Sequence, residues 1–126
     1  MHILSRRVHG VLDYLVGILL ILAPKIFGFD DGTAAARIPV VLGVAALIYS
    51  VCTNYELGPI KALPFRAHLT LDAMSGLFLA ASPWLFQFAD RVWAPHLVVG
   101  IVELGAVLMT RTSDSEHHLP GAPAHM

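Results

Sequence analysis

The chain has little charge. Eight Lys and Arg residues and nine Asp and Glu residues make up 13% of its 126 residues, roughly half the share of an average soluble domain. Hydrophobic residues make up 56% and the mean hydropathy is +0.70, so a soluble globule of this size would expose too much apolar surface. The near balance of charge leaves no basic surface for nucleic acid. The composition predicts a protein of the lipid bilayer with no nucleic-acid partner.

Cysteine and catalytic motifs are equally scarce. Cys52 is the only cysteine, so the chain cannot form an intramolecular disulfide, and no CxxC pair is present to hold zinc or an iron–sulfur cluster. The sequence has no GxSxG, P-loop, GxGxxG or HExxH motif, so the common nucleophilic, phosphate-binding and zinc-protease chemistries lack their parts. We therefore expect no enzymatic activity.

Four apolar runs, at 8–23, 38–51, 66–81 and 94–109, are candidate membrane-spanning helices. Each is near or below the ~17 to 25 residues that span a hydrocarbon core, so we expect the helices to extend beyond these limits. We predict that Pro24 and Pro83 close the first and third helices. The first run also has the length of a signal-peptide core, but no small-residue cleavage site follows it, which favours a retained span.

The strongest signal is an internal duplication. A shift of 59 residues aligns 7–31 with 66–90 without a gap, and ten of the 25 positions are identical. The identities include Arg7/Arg66, His9/His68, Asp13/Asp72, Gly17/Gly76 and Pro24/Pro83. The predicted fold is all-α: a polytopic membrane domain (1–111) with four transmembrane helices, built as two parallel two-helix repeats, about 7–57 and 66–111, in a pseudo-two-fold bundle. Residues 112–126 are predicted to form a flexible polar tail.

One short motif points to a family. Ser82-Pro83-Trp84 follows a glycine-containing apolar helix, and the first copy keeps only the proline, as Ala23-Pro24-Lys25. The second copy resembles the SPW-repeat integral membrane proteins, which are small bacterial proteins. This resemblance implies a location in the bacterial inner membrane. It brings no biochemical activity that could be transferred to this chain.

Each repeat opens with the pattern Arg-x-His-x-x-x-Asp-x-x-x-Gly. The residues are Arg7, His9, Asp13 and Gly17 in the first copy, and Arg66, His68, Asp72 and Gly76 in the second. A spacing of four places His, Asp and Gly on one helical face, and the glycine marks that face as interior because it lets another helix approach. The bundle symmetry then brings both His–Asp pairs to one level.

Two interpretations of the four residues His9, Asp13, His68 and Asp72 remain open. As a site, they can bind a divalent metal, with His9 and His68 as ligands, or haem between the two histidines, or they can relay protons. As structure, the carboxylates accept hydrogen bonds from histidine, or from arginine across the interface, and fix the helix register. Cofactor binding is thus a hypothesis that the sequence does not require.

Glu103 lies near the middle of the fourth apolar run, on one stripe with His96 and Gly100. We expect it either to point into the bundle and bond a polar group or a lipid-soluble ligand, or to be a neutral acid bonded to a backbone carbonyl. The aromatic residues near the two prolines are predicted to form an interfacial belt. They are Phe27, Phe29, Trp84, Phe86, Phe88 and Trp93.

The distribution of basic residues predicts the topology. The N-terminus, central loop and tail hold Arg6, Arg7, Lys61, Arg66 and Arg111, and the other two loops hold Lys25, Arg37 and Arg91. This excess favours both termini in the cytoplasm. The tail residues His117, His118 and His125 are interpreted as solvated sequence rather than a metal site.

The leading hypothesis is a non-catalytic structural or accessory membrane protein, with lipid and a second copy or a membrane complex as its partners. The alternative is a membrane protein that handles redox, metal, haem, protons or ions through the paired His–Asp sites.

Overall fold

A computed structural model of the chain describes residues 4–55 and 57–116, with side chains as far as Thr110. These described residues form four helices: α1 (Arg6–Ile26), α2 (Ala34–Val51), α3 (Phe65–Leu85) and α4 (Ala94–Glu116). The described residues hold no β-strand, only an isolated bridge between Thr53 and Leu63. The all-α class is therefore confirmed, and every helix extends beyond its apolar run. The predicted tail coincides in part with α4, and its three histidines lie outside the described residues.

The helices form a ring in chain order. α1 packs along α2 and α3 along α4, and narrower contacts join α2 to α3 and α1 to α4. Each long pairing crosses at two glycines. A Cβ atom on Gly43 would lie 2.6 Å from the Gly17 carbonyl oxygen, and one on Gly100 would lie 2.5 Å from that of Gly76. The helices thus meet backbone to backbone, as the glycine stripe predicts.

The prolines do not end their helices as predicted. Pro24 and Pro83 lie in the last turn, and α1 and α3 each continue for two more residues. The helices end where the backbone turns left-handed, at Gly28 (φ 74°) and Gln87 (φ 60°). The N–H of the following phenylalanine then donates to the proline carbonyl, at 2.8 Å in both helices. Proline lacks a donor but keeps its carbonyl, so it fits the last turn of a helix closed in this way.

The aromatic residues at this end divide between core and surface. Phe29 and Phe88 are buried, whereas Phe27, Phe86, Trp84 and Trp93 are about half exposed. The prediction of an interfacial belt is therefore wrong for Phe29 and Phe88. Both come directly after the left-handed turn, which directs them back over the ends of the helices, and both pack against the His96 ring.

An exposed ion pair joins the two loops at the same end. Asp31 accepts a hydrogen bond from Arg91 and two from Thr33, through its hydroxyl (2.6 Å) and its backbone N–H (3.0 Å). The Thr33 bonds and the Arg91 guanidinium lower the pKa of the Asp31 carboxyl to about 2. The carboxylate therefore stays ionised, and keeps its three donors, well into the acid range.

Two of the described helices, α1 and α2, are long and apolar enough to cross a membrane, with hydropathies of 1.6 and 1.9. The apolar part of α4 is shorter and covers Ala94–Thr110.

Candidate functional site

The four His and Asp side chains from the repeated pattern meet in one buried cluster. His9 and Asp13 stand on the first turns of α1, and His68 and Asp72 stand on the first turns of α3. Their exposed fractions are 1%, 7%, 0% and 2%. A spacing of four residues directs each His and its Asp to the same side of the helix, so two helices suffice to supply all four groups.

The hydrogen bonds of this His–Asp cluster cross from one helix to the other. Nε2 of His9 bonds Oδ2 of Asp72 at 2.7 Å, and Nε2 of His68 bonds Oδ2 of Asp13. Within each helix the same atoms lie 3.0 Å apart in α1 and 3.2 Å apart in α3. Each Nε2 atom thus faces two carboxylate oxygens, and each Oδ2 atom faces two Nε2 atoms.

Three further residues hold the cluster, and none of them was expected from the sequence. Nδ1 of His9 is hydrogen-bonded to the Thr110 hydroxyl at 2.9 Å, and Nδ1 of His68 to the Thr53 hydroxyl at 2.7 Å. The Tyr49 hydroxyl donates to Oδ1 of Asp72. One signal was available for the threonines: the shift of 57 residues that aligns Gly43 with Gly100 also aligns Thr53 with Thr110.

The hydroxyl of Thr53 determines which His68 nitrogen carries a proton. It donates its single hydrogen to the carbonyl of Tyr49, one turn earlier. Its oxygen must therefore accept from Nδ1–H of His68 in the bond between them. Nε2 of His68 is left facing the two carboxylates.

Aromatic rings enclose the cluster. The Phe65 ring stacks on His68 with an interplanar angle of 13°, and Tyr49 meets His68 edge-on with a centroid distance of 4.9 Å. The two histidine rings are inclined to each other by 72°, and the carboxylates occupy the space between their Nε2 atoms. This arrangement has no room for a porphyrin between the imidazoles, so the residues do not fit the haem hypothesis.

The arginines of the pattern stay outside the cluster. Arg7 and Arg66 are exposed, and the carboxylates bond histidine and Tyr49 rather than an arginine across the interface. Exposure at the start of each helix keeps the guanidinium groups hydrated, which a buried position would not.

Glu103 lies beside the cluster without joining it. It is half-buried, and its Cβ atom is among the nearest neighbours of Gly76. Its carboxylate has no hydrogen-bond partner in the part of the chain that the structure describes, so neither a polar partner nor a backbone carbonyl is found for it.

His96, on the same stripe as Glu103, has a distinct role at the other end of the bundle. Its Nε2–H donates to the carbonyl of Ala35 at 2.8 Å. That carbonyl lies four residues before Pro39, whose ring has no N–H to complete the helical hydrogen bond. His96 of α4 therefore supplies the donor that α2 lacks.

In the Ser-Pro-Trp motif, a residue of the same helix donates to the carbonyl that the proline leaves without a helical hydrogen bond. The Ser82 hydroxyl donates to the Leu79 carbonyl at 2.7 Å, the acceptor that Pro83 leaves without its helical donor. Ser82 and Pro83 are buried and Trp84 is 54% exposed. On the inner face, the motif therefore supplies its own donor for the carbonyl that Pro83 leaves free. On the outer face, it presents an aromatic residue.

An apolar cavity of about 470 Å³ opens near His96, between α1 and α4. Its walls include Leu19, Phe27, Pro39, Leu79 and Val98. Apart from His96, the lining residues offer no polar path for an ion, whereas the His–Asp cluster brings four titratable side chains together. There, two carboxylates can balance two positive charges, whether these are protons on the imidazoles or a bound cation.

Comparison with known proteins gives one match. A search of curated proteins and a search of solved structures found nothing similar to the chain. The profile of the SPW repeat domain matches residues 7–110, which include the His–Asp cluster and the Ser-Pro-Trp motif. The match confirms the resemblance found in the sequence and covers most of the chain. The chain belongs to the SPW repeat domain family.

Proposed function

We propose that the chain is a four-span integral membrane protein with a structural or accessory role, whose two helical hairpins are held together by the His–Asp cluster. The observation that carries this proposal is the reciprocal pairing of His9 with Asp72 and of His68 with Asp13. Both bonds join α1 to α3, which belong to different hairpins. No residue of the cluster is a nucleophile placed beside an open cleft, so the arrangement favours a structural role over catalysis.

The outward surfaces support a position in lipid. Large apolar side chains, each at least 38% exposed, occur on all four helices: Leu15, Ile18 and Leu22 on α1, Val41, Val44 and Ile48 on α2, Met74, Leu77 and Phe78 on α3, and Val98, Ile101 and Leu108 on α4. A soluble monomer rarely exposes apolar surface on every side. In a bilayer the same surface contacts acyl chains, and the polar groups turn inward.

The equivalent contacts support two parallel repeats related by a pseudo-two-fold axis. Each hairpin has one glycine crossing, Gly17 with Gly43 and Gly76 with Gly100. Each also contributes one threonine to a histidine of the cluster, Thr53 from the first hairpin and Thr110 from the second. Two similar hairpins that enter the membrane from the same side account for both the glycine crossings and the threonine–histidine bonds.

The proposed topology places both termini on the cytoplasmic side of a bacterial inner membrane. The cluster then lies near the cytoplasmic ends of α1 and α3, where a charged group costs less than at the bilayer centre. An accessory role implies a partner in the membrane, either a second copy of the chain or a larger complex.

Membrane integration is tested by fractionation. We expect the expressed chain to remain in the membrane pellet after an alkaline carbonate wash, and recovery in the wash would contradict the proposal. For topology, Cys52→Ser provides a cysteine-free background for Ser115→Cys or Asp90→Cys. A membrane-impermeant thiol reagent should label the Asp90→Cys protein in intact cells and leave the Ser115→Cys protein unlabelled. The reverse result would overturn the orientation.

We call the His–Asp cluster, in its role of holding the two hairpins together, the clamp. This role is tested by removing one charge from the cluster. We expect Asp72→Asn to lower the free energy of unfolding by about 3 kcal/mol, because His9 and His68 each lose one of their two carboxylate partners in a buried site. The matched control is Asp90→Asn, which removes the same charge from an exposed loop position. Circular dichroism monitors the unfolding of each chelator-treated variant in detergent and gives its free energy of unfolding. Equal losses in the two variants would contradict a clamping role.

A further inference from the structure

We propose that the His–Asp cluster is a binding site for one divalent transition-metal ion of the zinc class. The ligands are Nε2 of His9 and His68 and Oδ2 of Asp13 and Asp72. One imidazole nitrogen or carboxylate oxygen from each of the four residues lies within 4.8 Å of the other three. This inference goes beyond the structural role, because the hydrogen-bonded clamp can exist with or without a metal.

The four nitrogen-to-oxygen separations are close to those of a small tetrahedral site. With bonds of about 2.0 to 2.1 Å to zinc, neighbouring ligand atoms lie roughly 3.3 Å apart. Three of the nitrogen-to-oxygen separations are 2.7, 3.0 and 3.2 Å, and the fourth, between His68 and Asp13, is shorter. Three of these four nitrogen-to-oxygen edges therefore need to lengthen by only tenths of an ångström to reach that spacing. Nitrogen and oxygen alternate around the cluster, so each ligand keeps a neighbour of the other kind.

Because Nδ1 of His68 carries a proton, a second proton or a metal ion is needed between its Nε2 and the two carboxylates. Because Nδ1–H is committed to Thr53, an unprotonated Nε2 would turn its lone pair toward the lone pairs of two carboxylate oxygens. Only a positive charge between them, either a second proton or a metal ion, makes this arrangement favourable. A divalent ion replaces two protons and leaves the buried set of two carboxylates electrically neutral.

The groups behind the ligands are those that metal sites use. Each histidine is fixed through Nδ1 by a threonine, which orients Nε2 toward the centre. The Tyr49 hydroxyl bonds Oδ1 of Asp72 and leaves Oδ2 for the ion. Such outer contacts hold the ligands in place and typically change metal affinity 10- to 100-fold when they are removed.

The donor set selects the kind of metal. Two imidazoles and two carboxylates in a tetrahedral array suit zinc and its neighbours. Magnesium and calcium prefer six or more oxygen ligands, which this enclosed site does not supply. The absence of cysteine from the cluster argues against the soft cuprous ion.

The experiment uses the purified full chain in detergent, stripped with a chelator, exposed to Zn²⁺ and desalted. Elemental analysis is expected to find one zinc per chain in the native protein and less than about a tenth of that in His9→Ala and in Asp72→Asn. A variant with His117, His118 and His125 all changed to alanine is the matched control and should keep the full zinc content. Zinc that is absent from the native protein, or lost only with the tail histidines, would overturn the inference.

Two further measurements guard against variants that fail to fold. Thr110→Val keeps all four ligands and removes one supporting hydroxyl, and we expect it to fold and to bind zinc at least tenfold more weakly. Cobalt is the spectroscopic probe: a tetrahedral site gives an intense visible band, and a weak octahedral spectrum would contradict the proposed coordination. If Asp72→Asn destabilises the chelator-treated protein while the native chain binds no zinc, the clamp stands and the metal site alone is disproved.

Discussion

Ser82 completes a hydrogen bond that Pro83 cannot make, because its hydroxyl donates to the Leu79 carbonyl at 2.7 Å. In the proposed bilayer location, where no water can serve, a freed backbone carbonyl needs a donor from the protein. This gives the Ser-Pro pair of the motif a physical reason. The first copy of the motif has Ala23 at the equivalent position and lacks this donor.

Ser82→Ala should therefore lower the free energy of unfolding by about 1 to 3 kcal/mol, since it leaves a buried carbonyl without a partner. Ser75→Ala, at a half-buried position of the same helix, is the control and should change little. Thermal unfolding in detergent compares the two. A cost at Ser82 no greater than at Ser75 would show that the hydroxyl does not serve the carbonyl.

His96 and Pro39 should be energetically coupled through the Ala35 carbonyl. We expect His96→Leu to destabilise the native chain by about 1 to 3 kcal/mol, because Ala35 loses its donor. In a Pro39→Ala background the restored N–H can bond that carbonyl within α2, so the same change should cost less. A double-mutant cycle measures this difference. Equal costs in the two backgrounds would mean that the residues are independent.

The glycine crossings should not accept a methyl group. Gly43→Ala and Gly100→Ala would each press a Cβ atom against a backbone carbonyl of the partner helix, and we expect a cost of about 1 to 3 kcal/mol for each. Gly105 lies in the same helix as Gly100 with open space around its Cβ position. Gly105→Ala should therefore be neutral or stabilising by up to about 1 kcal/mol, owing to its helix propensity. A loss at Gly105 as large as at Gly100 would contradict the packing argument.

The Asp31 carboxyl should titrate near pH 2. A lowered pKa means that the ionised group stabilises the folded state above its ordinary value of 3.8, and that this contribution is lost as the pH falls toward 2. Thr33→Ala removes the largest cause and should raise the pKa more than Arg91→Gln. Carboxyl chemical shifts measured by NMR in the three proteins test this order, and a larger effect at Arg91 would reverse it.

Much of the site could be predicted because helical periodicity acts locally. A spacing of four places His9 beside Asp13, and His68 beside Asp72, on any regular helix. The duplication shows that the two pairs are equivalent, and the glycine in each stripe marks the face that meets another helix. These inferences need only the geometry of one helix and the comparison of two segments.

The residues that were missed depend on contacts between distant segments. Thr53 and Thr110 follow apolar runs and look like ordinary helix ends, and Tyr49 resembles an interfacial aromatic residue. The contacts of these three side chains depend on tertiary packing, which brings the end of α2 to the start of α3 and the end of α4 to the start of α1. The role of His96 likewise requires two helices, because its acceptor on Ala35 lies 61 positions away.

The sequence by itself indicated the all-helical class, the gapless match between 7–31 and 66–90 and the identity of the four cluster residues, since these follow from composition, from periodicity and from comparing two segments of one chain. The tertiary structure decided that each histidine bonds the aspartate of the other repeat, that the arginines stay outside, and that no porphyrin fits between the imidazoles. The physical reason is that hydrogen-bond partners in a bundle are selected by how the helices pack against each other. Helix packing depends on the shapes of all four interfaces at once, which no single segment encodes.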